Sequence, residues 1–143
     1  MLSTDKIMGI DFGDARTGIA LSDISKTLVG ETFTITEYNA ERVAEKIAKL
    51  ISERGVLTVV LGYPKNMNGT LGPRAEKSIW LKSELEARCN VKVVLWDERL
   101  TTVDAHRILS EAGAHGKKRK QQVDAVAASL ILQGYLDSLK LNF

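Results

Sequence analysis

The sequence predicts an α/β fold, a mixed five-stranded sheet with helices on both faces. Two apolar runs of strand length flank a glycine-containing turn near the N-terminus. Apolar runs of strand length later alternate with stretches of helical period. The resulting order, βββαβαβαα, joins an antiparallel meander to two strands that are each reached through a helix. Those two strands are parallel additions with right-handed crossovers.

The first run, Ile7-Met8-Gly9-Ile10-Asp11-Phe12, is a strand. A turn spans 13–18, and a second apolar strand follows to 23. Residues 27–36, with Val29, Thr32, Phe33 and Ile35, supply the third strand, its start blurred by Gly30. Residues 40–54 carry Val43, Ile47, Leu50 and Ile51 on one helical face. Asn39 is placed to cap that helix and Gly55 to stop it.

Residues 56–61 form a short apolar run typical of a buried parallel strand. Residues 62–73 hold both prolines of the chain, three glycines and two asparagines, which predicts a loop. Pro73 suits the first turn of a helix over 74–87, packed through Ala75, Ile79, Leu81 and Leu85. Residues 91–96 are the fifth strand. Thr101 and Asp104 give a weak cap for a helix reaching 110. Residues 113–119 predict a loop and 122–136 the last helix.

A length of 143 residues suits a single domain over 1–143 with a real core. Hydrophobic residues make up 44% and charged residues 27%, ordinary for a soluble globular protein. No apolar run is long enough to span a membrane, and no signal-peptide pattern opens the chain. Cys89 has no second cysteine to pair with, and a cytoplasmic location is the expectation. The net charge of +2 hides a local asymmetry. Lys117-Lys118-Arg119-Lys120 carries four positive charges, and the rest of the chain is net −2. Such a run steers a polyanion toward one face.

Asp11 is the residue that asks for an explanation. A strand interior is a costly place for an unpaired carboxylate. Asp97 and Glu98 end the fifth strand, where crevices form in open α/β sheets. Side chains alternate along a strand, so one of the two can join Asp11. Asp124, near the start of the last helix, shares a face with Ala128 and Ile131 and is the third candidate. Convergent carboxylates become reasonable around a hard divalent cation, Mg²⁺ or Mn²⁺, and two such ions support phosphodiester hydrolysis. The bland alternative for each carboxylate is solvent or a pairing with Arg or Lys.

These residues carry a pattern. Gly9-Ile10-Asp11-Phe12-Gly13 with Arg16-Thr17-Gly18 forms one segment, and Leu61-Gly62-Tyr63-Pro64-Lys65-Asn66-Met67-Asn68-Gly69 a second. The others are Trp96-Asp97-Glu98-Arg99-Leu100-Thr101-Thr102, and Asp124 with Ala127-Ala128. Together they resemble the bacterial YqgF family, Holliday-junction-resolvase-like proteins described as nucleases that mature the 5′ end of the small-subunit (16S) ribosomal RNA precursor. The resemblance covers nearly the whole chain. It implies a ribonuclease-H-like fold and a catalytic, metal-binding set of Asp11, Glu98 and Asp124, favouring Glu98 over Asp97. A fourth carboxylate, found beside the third in some relatives of that fold, has no counterpart, since residues 127 and 128 are alanines.

Nucleic acid is the expected partner, precursor ribosomal RNA ahead of branched DNA. The chain is expected as a monomer or a weak homodimer. Arg16 is suited to a phosphate or to pairing with Asp14. Lys65 and Asn66 follow a strand end and Arg74 opens a helix; each suits backbone contact or simple solvation. Arg99 follows Glu98 and suits orienting a carboxylate, reaching substrate or a structural ion pair. Lys117, Lys118, Arg119 and Lys120 precede the helix of Asp124. Aromatic content is 6%, which gives no ladder for stacking on bases.

Three functions compete. A metal-dependent nuclease is the first, acting on precursor ribosomal RNA or, as a Holliday junction resolvase, on branched DNA. A weakly catalytic nucleic-acid-binding factor of ribosome assembly is the second. An ATP-handling protein is the third, and the lack of a second phosphate loop in the sequence weighs against it.

Overall fold

Strand β1 (Lys6–Phe12) pairs on both sides, antiparallel to β2 (Arg16–Ser22) and parallel to β4 (Val56–Tyr63). β3 (Val29–Thr36) adds antiparallel to β2, and β5 (Lys92–Asp97) adds parallel to β4. The sheet order β3-β2-β1-β4-β5 is the mixed five-stranded sheet that the meander and crossovers predict, and the ribonuclease-H-like arrangement that the resemblance implies. The computed structural model describes residues 6–23, 25–63, 72–97 and 116–140, with backbone alone at 116–123 and 140.

Alternation along β1 divides the core in two. Met8 and Ile10 join Ile19, Leu21, Val59 and Leu61 on one face, under helices α1 (Ala40–Arg54) and α2 (Pro73–Arg88). Ile7 joins Ala20 and Val60 on the other face, under helix α3 (Gly116–Lys140) through Ala128, Ile131, Leu132 and Leu136. Each large aliphatic chain buried in these layers stabilises the fold by roughly 1.5–3 kcal/mol.

The signals that bound α1 act as expected. Asn39 Oδ1 accepts from the Arg42 amide at 3.1 Å, and Gly55 stops the helix at φ +67°, a conformation that favours glycine. Pro73 opens α2. One apolar position differs: Ile79 is partly exposed at 38%, while Ser78 is buried and its hydroxyl donates to the Arg74 carbonyl at 3.3 Å. Ser78 and Leu81 continue the stripe from Ala75 in steps of three, which turns Ile79 off the packed face.

A larger correction concerns α3. Its backbone is helical from Gly116, so most of the stretch expected as a loop over 113–119 belongs to the helix. Lysine, arginine and glutamine are good helix formers, but these first turns carry no apolar residue, and periodicity alone passes over them. The expected helix over 101–110 lies outside the described residues, as do residues 64–71 of the loop expected over 62–73; Gly62 and Tyr63 instead extend β4 beyond the apolar run, and Pro73 belongs to α2.

Helix α3 sits on the sheet at very short range. A Cβ built on Gly9 would lie 2.8 Å from the Ala128 carbonyl oxygen, and one on Gly18 would lie 1.9 Å from that of Asp124. The helix backbone therefore occupies the space of two absent side chains. Among the described residues no helix is long and apolar enough to cross a membrane.

Candidate active site

The close seat of α3 places two of the expected carboxylates on one face of the sheet. Asp11 is directly opposite Gly18 in the β1–β2 register, so both present the same face of the sheet. That face is the one covered by α3, and the Asp124 carbonyl rests on Gly18. Asp11 is 8% exposed, a buried acid on the central strand. Asp124 keeps more water, with its side chain 20% exposed.

Arg16 completes the cluster. It lies two residues before Gly18 on β2 and thus on the same face. Its Nε donates to Asp124 Oδ2 at 3.2 Å, with the guanidinium side chain 28% exposed. Water is partly excluded from this pair, so it is screened less than a surface ion pair. The alternative partner considered for Arg16 is occupied elsewhere: Lys77 Nζ hydrogen-bonds Asp14 Oδ1. That hydrogen bond and the Lys77 charge hold the Asp14 carboxyl below its ordinary range.

Beneath the cluster, Ala127 and Ala128 are fully buried. Methyl groups thus stand where a fourth carboxylate would be sought. At the end of β5, Trp96 packs on the α3 face, with its ring edge-on to Tyr135 at 6.1 Å. Val93 and Leu95 pack on the opposite face, the side to which alternation assigns Asp97. Glu98 lies outside the described residues, as do Lys65, Asn66 and Arg99. Arg74 is exposed in the first turn of α2. Residues 117–120 form the first turns of α3, described by their backbone. Among the described residues no group of three or more His, Cys, Asp or Glu side chains gathers. Cys89 is half-buried, and burial pushes its thiol pKa up, away from reactivity.

One grouping has no linear signal in the sequence. Phe12, Tyr38 and Trp80 come from three elements or their edges and share a cavity of about 150 Å³ with Lys77. The only hint is that Phe12 directly follows Asp11.

Comparison with known proteins identifies the family and the fold. A candidate pre-16S rRNA nuclease of Thermoanaerobacter pseudethanolicus is 45% identical over 136 residues, covering 94% of this chain and 98% of that protein. The counterpart in Shouchella clausii is 49% identical over 134 residues, covering 92% and 94%. The Bacillus subtilis counterpart is 47% identical over 136 residues, covering 94% and 99%. Among solved structures, Thermus thermophilus RuvC in complex with a Holliday junction substrate superposes with a TM-score of 0.61 at 12% identity, covering 96% of this chain and 97% of that one. Fowlpox virus resolvase with its junction DNA gives 0.58 at 14%, covering 94% and 98%. These two likenesses show the shared fold. The model of the RuvX family, described as Holliday junction resolvase, matches residues 5–138. With that match over nearly the whole chain and relatives of nearly equal length at 45–49% identity, the chain belongs to the YqgF/RuvX family.

Proposed function

We propose that this protein is a metal-dependent nuclease that hydrolyses phosphodiester bonds in precursor ribosomal RNA, maturing the 5′ end of 16S RNA. The observation that carries the proposal is the buried Asp11 on the central strand, on the face where α3 places Asp124. The relatives described as candidate pre-16S rRNA nucleases support the choice of substrate.

The donors present fit a hard divalent cation. Both are carboxylates, one largely withdrawn from water, with no histidine or cysteine among them. Asp11 and Asp124, with Glu98 as the third, would hold Mg²⁺ or Mn²⁺. When bound, the cation supplies charge stabilisation to the phosphoryl oxygens. Glu98 is preferred over Asp97 because the β5 alternation assigns Asp97 to the face of Val93 and Leu95.

The chain's own residues do the rest. Arg16, already in contact with Asp124, offers its remaining guanidinium donors to a phosphate. The basic run at the start of α3 holds the backbone of the nucleic acid without reading its bases. Lys65, Asn66, Arg74 and Arg99 are further candidates for contact with the nucleic-acid backbone.

Branched DNA is the second substrate to test, because the matching family is described by Holliday junction resolution. A resolvase makes paired cuts and calls for a two-fold dimer, whereas trimming RNA does not. Cleavage of precursor ribosomal RNA and of a four-way DNA junction, assayed side by side with Mg²⁺, Mn²⁺ or chelator, separates the two. Asp11→Asn is expected to keep binding and lose more than about a hundredfold in cleavage rate. Equal cleavage by variant and parent overturns the proposal.

A further inference from the structure

On the other side of β1 from the carboxylates, the chain builds a cavity of about 150 Å³. Phe12 and Trp80 form its inner wall, their rings stacked with centroids 6.4 Å apart and planes 21° from parallel. Tyr38 stands at its rim and is 79% exposed, an unusual state for so large an aromatic surface. Lys77 and Asp14 share the mouth, and Val43 contributes to the floor.

Two features identify an occupant. The cavity opens at the end of β1, across the sheet from the candidate site: Phe12 directly follows Asp11, and Gly13 and Asp14 line its opening. Its chemistry is also that of a nucleotide: aromatic faces for a planar base, and a lysine ammonium beside them for the attached phosphate. The Lys77–Asp14 pair lies in water, with its side chains 57% and 72% exposed. Such a pair is worth little, and Lys77 can exchange Asp14 for a phosphate at small cost.

We propose that this cavity receives one unpaired base of the substrate strand, stacked against Tyr38 and the Phe12–Trp80 wall, with Lys77 on the neighbouring phosphate. The inference rests on the nuclease proposal for the Asp11–Asp124 site and deepens it. The strand would cross the end of β1, with the bond to be cut on the α3 face and a flanking base on the α1–α2 face. The preferred substrate is then one with an unpaired nucleotide beside the cut, rather than a continuous duplex.

The chain has two tryptophans, so Trp96→Phe leaves Trp80 as the sole indole reporter. This protein is titrated with a short single-stranded RNA in chelator, and again with Mg²⁺ in an Asp11→Asn background. Trp80 emission is expected to be quenched by the single strand and little affected by the same sequence as a duplex. Replacing nucleotides one at a time by abasic units should remove the quench at one position. Tyr38→Ala, at an exposed position that leaves folding intact, should weaken binding about tenfold, and Tyr38→Phe should restore it. Absence of quenching, equal effects of all abasic units, or unchanged affinity in Tyr38→Ala each overturn the inference. Cleavage by Asp11→Asn at the parent rate would instead overturn the metal-site proposal and leave the stacking result to be judged on its own.

Discussion

Arg16 Nε and Asp124 Oδ2 lie 3.2 Å apart although 108 positions separate them in sequence. The pair binds the start of β2 to the third turn of α3 and engages one of the two carboxylates at the candidate site. A cation bound there competes with the guanidinium for the same oxygen. Arg16→Ala is therefore expected to raise Mn²⁺ affinity about fivefold, the equivalent of a partly exposed ion pair of ~1 kcal/mol, while weakening nucleic-acid binding. Titration calorimetry with Mn²⁺ checks the first effect, and unchanged or weaker Mn²⁺ binding would count against shared use of Asp124.

Gly18 should tolerate no side chain. Its Cβ would fall 1.9 Å from the Asp124 carbonyl oxygen, a backbone atom with no rotamer to move aside. Gly18→Ala is expected to destabilise the protein by about 3 kcal/mol through overpacking. Gly55→Ala makes a useful comparison, since nothing lies within 4 Å and its cost is one of backbone conformation at φ +67°, ~1 kcal/mol. Urea denaturation of both variants tests the order, and cleavage should fall in Gly18→Ala alone.

Among the described residues, Thr17 Oγ1 is buried without a hydrogen-bond partner. A hydroxyl in that state forfeits its hydration and gains nothing in return. Thr17→Val keeps the shape, suits a strand and removes the unmet group. Stability should rise by about 1 kcal/mol, seen as an increase of roughly 3 °C in Tm. A lower Tm would show that the hydroxyl is satisfied.

Asp14 carries a pH signature. The Lys77 hydrogen bond and charge, with a smaller contribution from Arg74, lower its pKa below the ordinary 3.8. The unfolded chain therefore binds the proton more readily. The stabilisation is present above the ordinary value and is lost as pH falls through the folded-state value. Because the pair is exposed, its worth in stability is small. NMR titration of the Asp14 carboxyl should give a midpoint below 3.8 that moves upward in Lys77→Ala.

Features written locally were legible in the sequence. The Asn39 cap, the Gly55 stop, the Pro73 start and the strand periods depend on neighbours within a few residues, and each falls where expected. Asp11 was conspicuous because its flanks are apolar, and Asp124 because Ala128 and Ile131 share its helical face. Other features were set by three-dimensional proximity. Arg16 had a nearer acid in Asp14, but Lys77, 63 positions from Asp14, takes that acid. Phe12, Tyr38 and Trp80 are too far apart in sequence to register as an aromatic group, yet they enclose one cavity. The early start of α3 has no sequence signal, because a charged helix without an apolar stripe shows no period.

The basic run should act on nucleic acid through phosphates. Replacing Lys117 and Lys120 together by glutamine is expected to weaken binding similarly across sequences and to reduce the slope of log K against log salt by about 2. The same variant should not lose stability, since lysines in the first turns of a helix oppose its dipole. An unchanged salt slope would remove these residues from the interface.

Because α3 is continuous from Gly116 through Asp124, the basic run and the acid are joined by a rigid screw rather than a tether. Positions 117, 120 and 124 fall on one stripe of that screw, and 118 and 119 are turned away from it. Adding one residue between 120 and 124 would rotate the cations by about 100° around the helix axis relative to the acid, whereas adding four would return them almost to phase. The angular setting between charge and carboxylate is thus counted in residues, and a length change that a loop would absorb becomes here a change of direction.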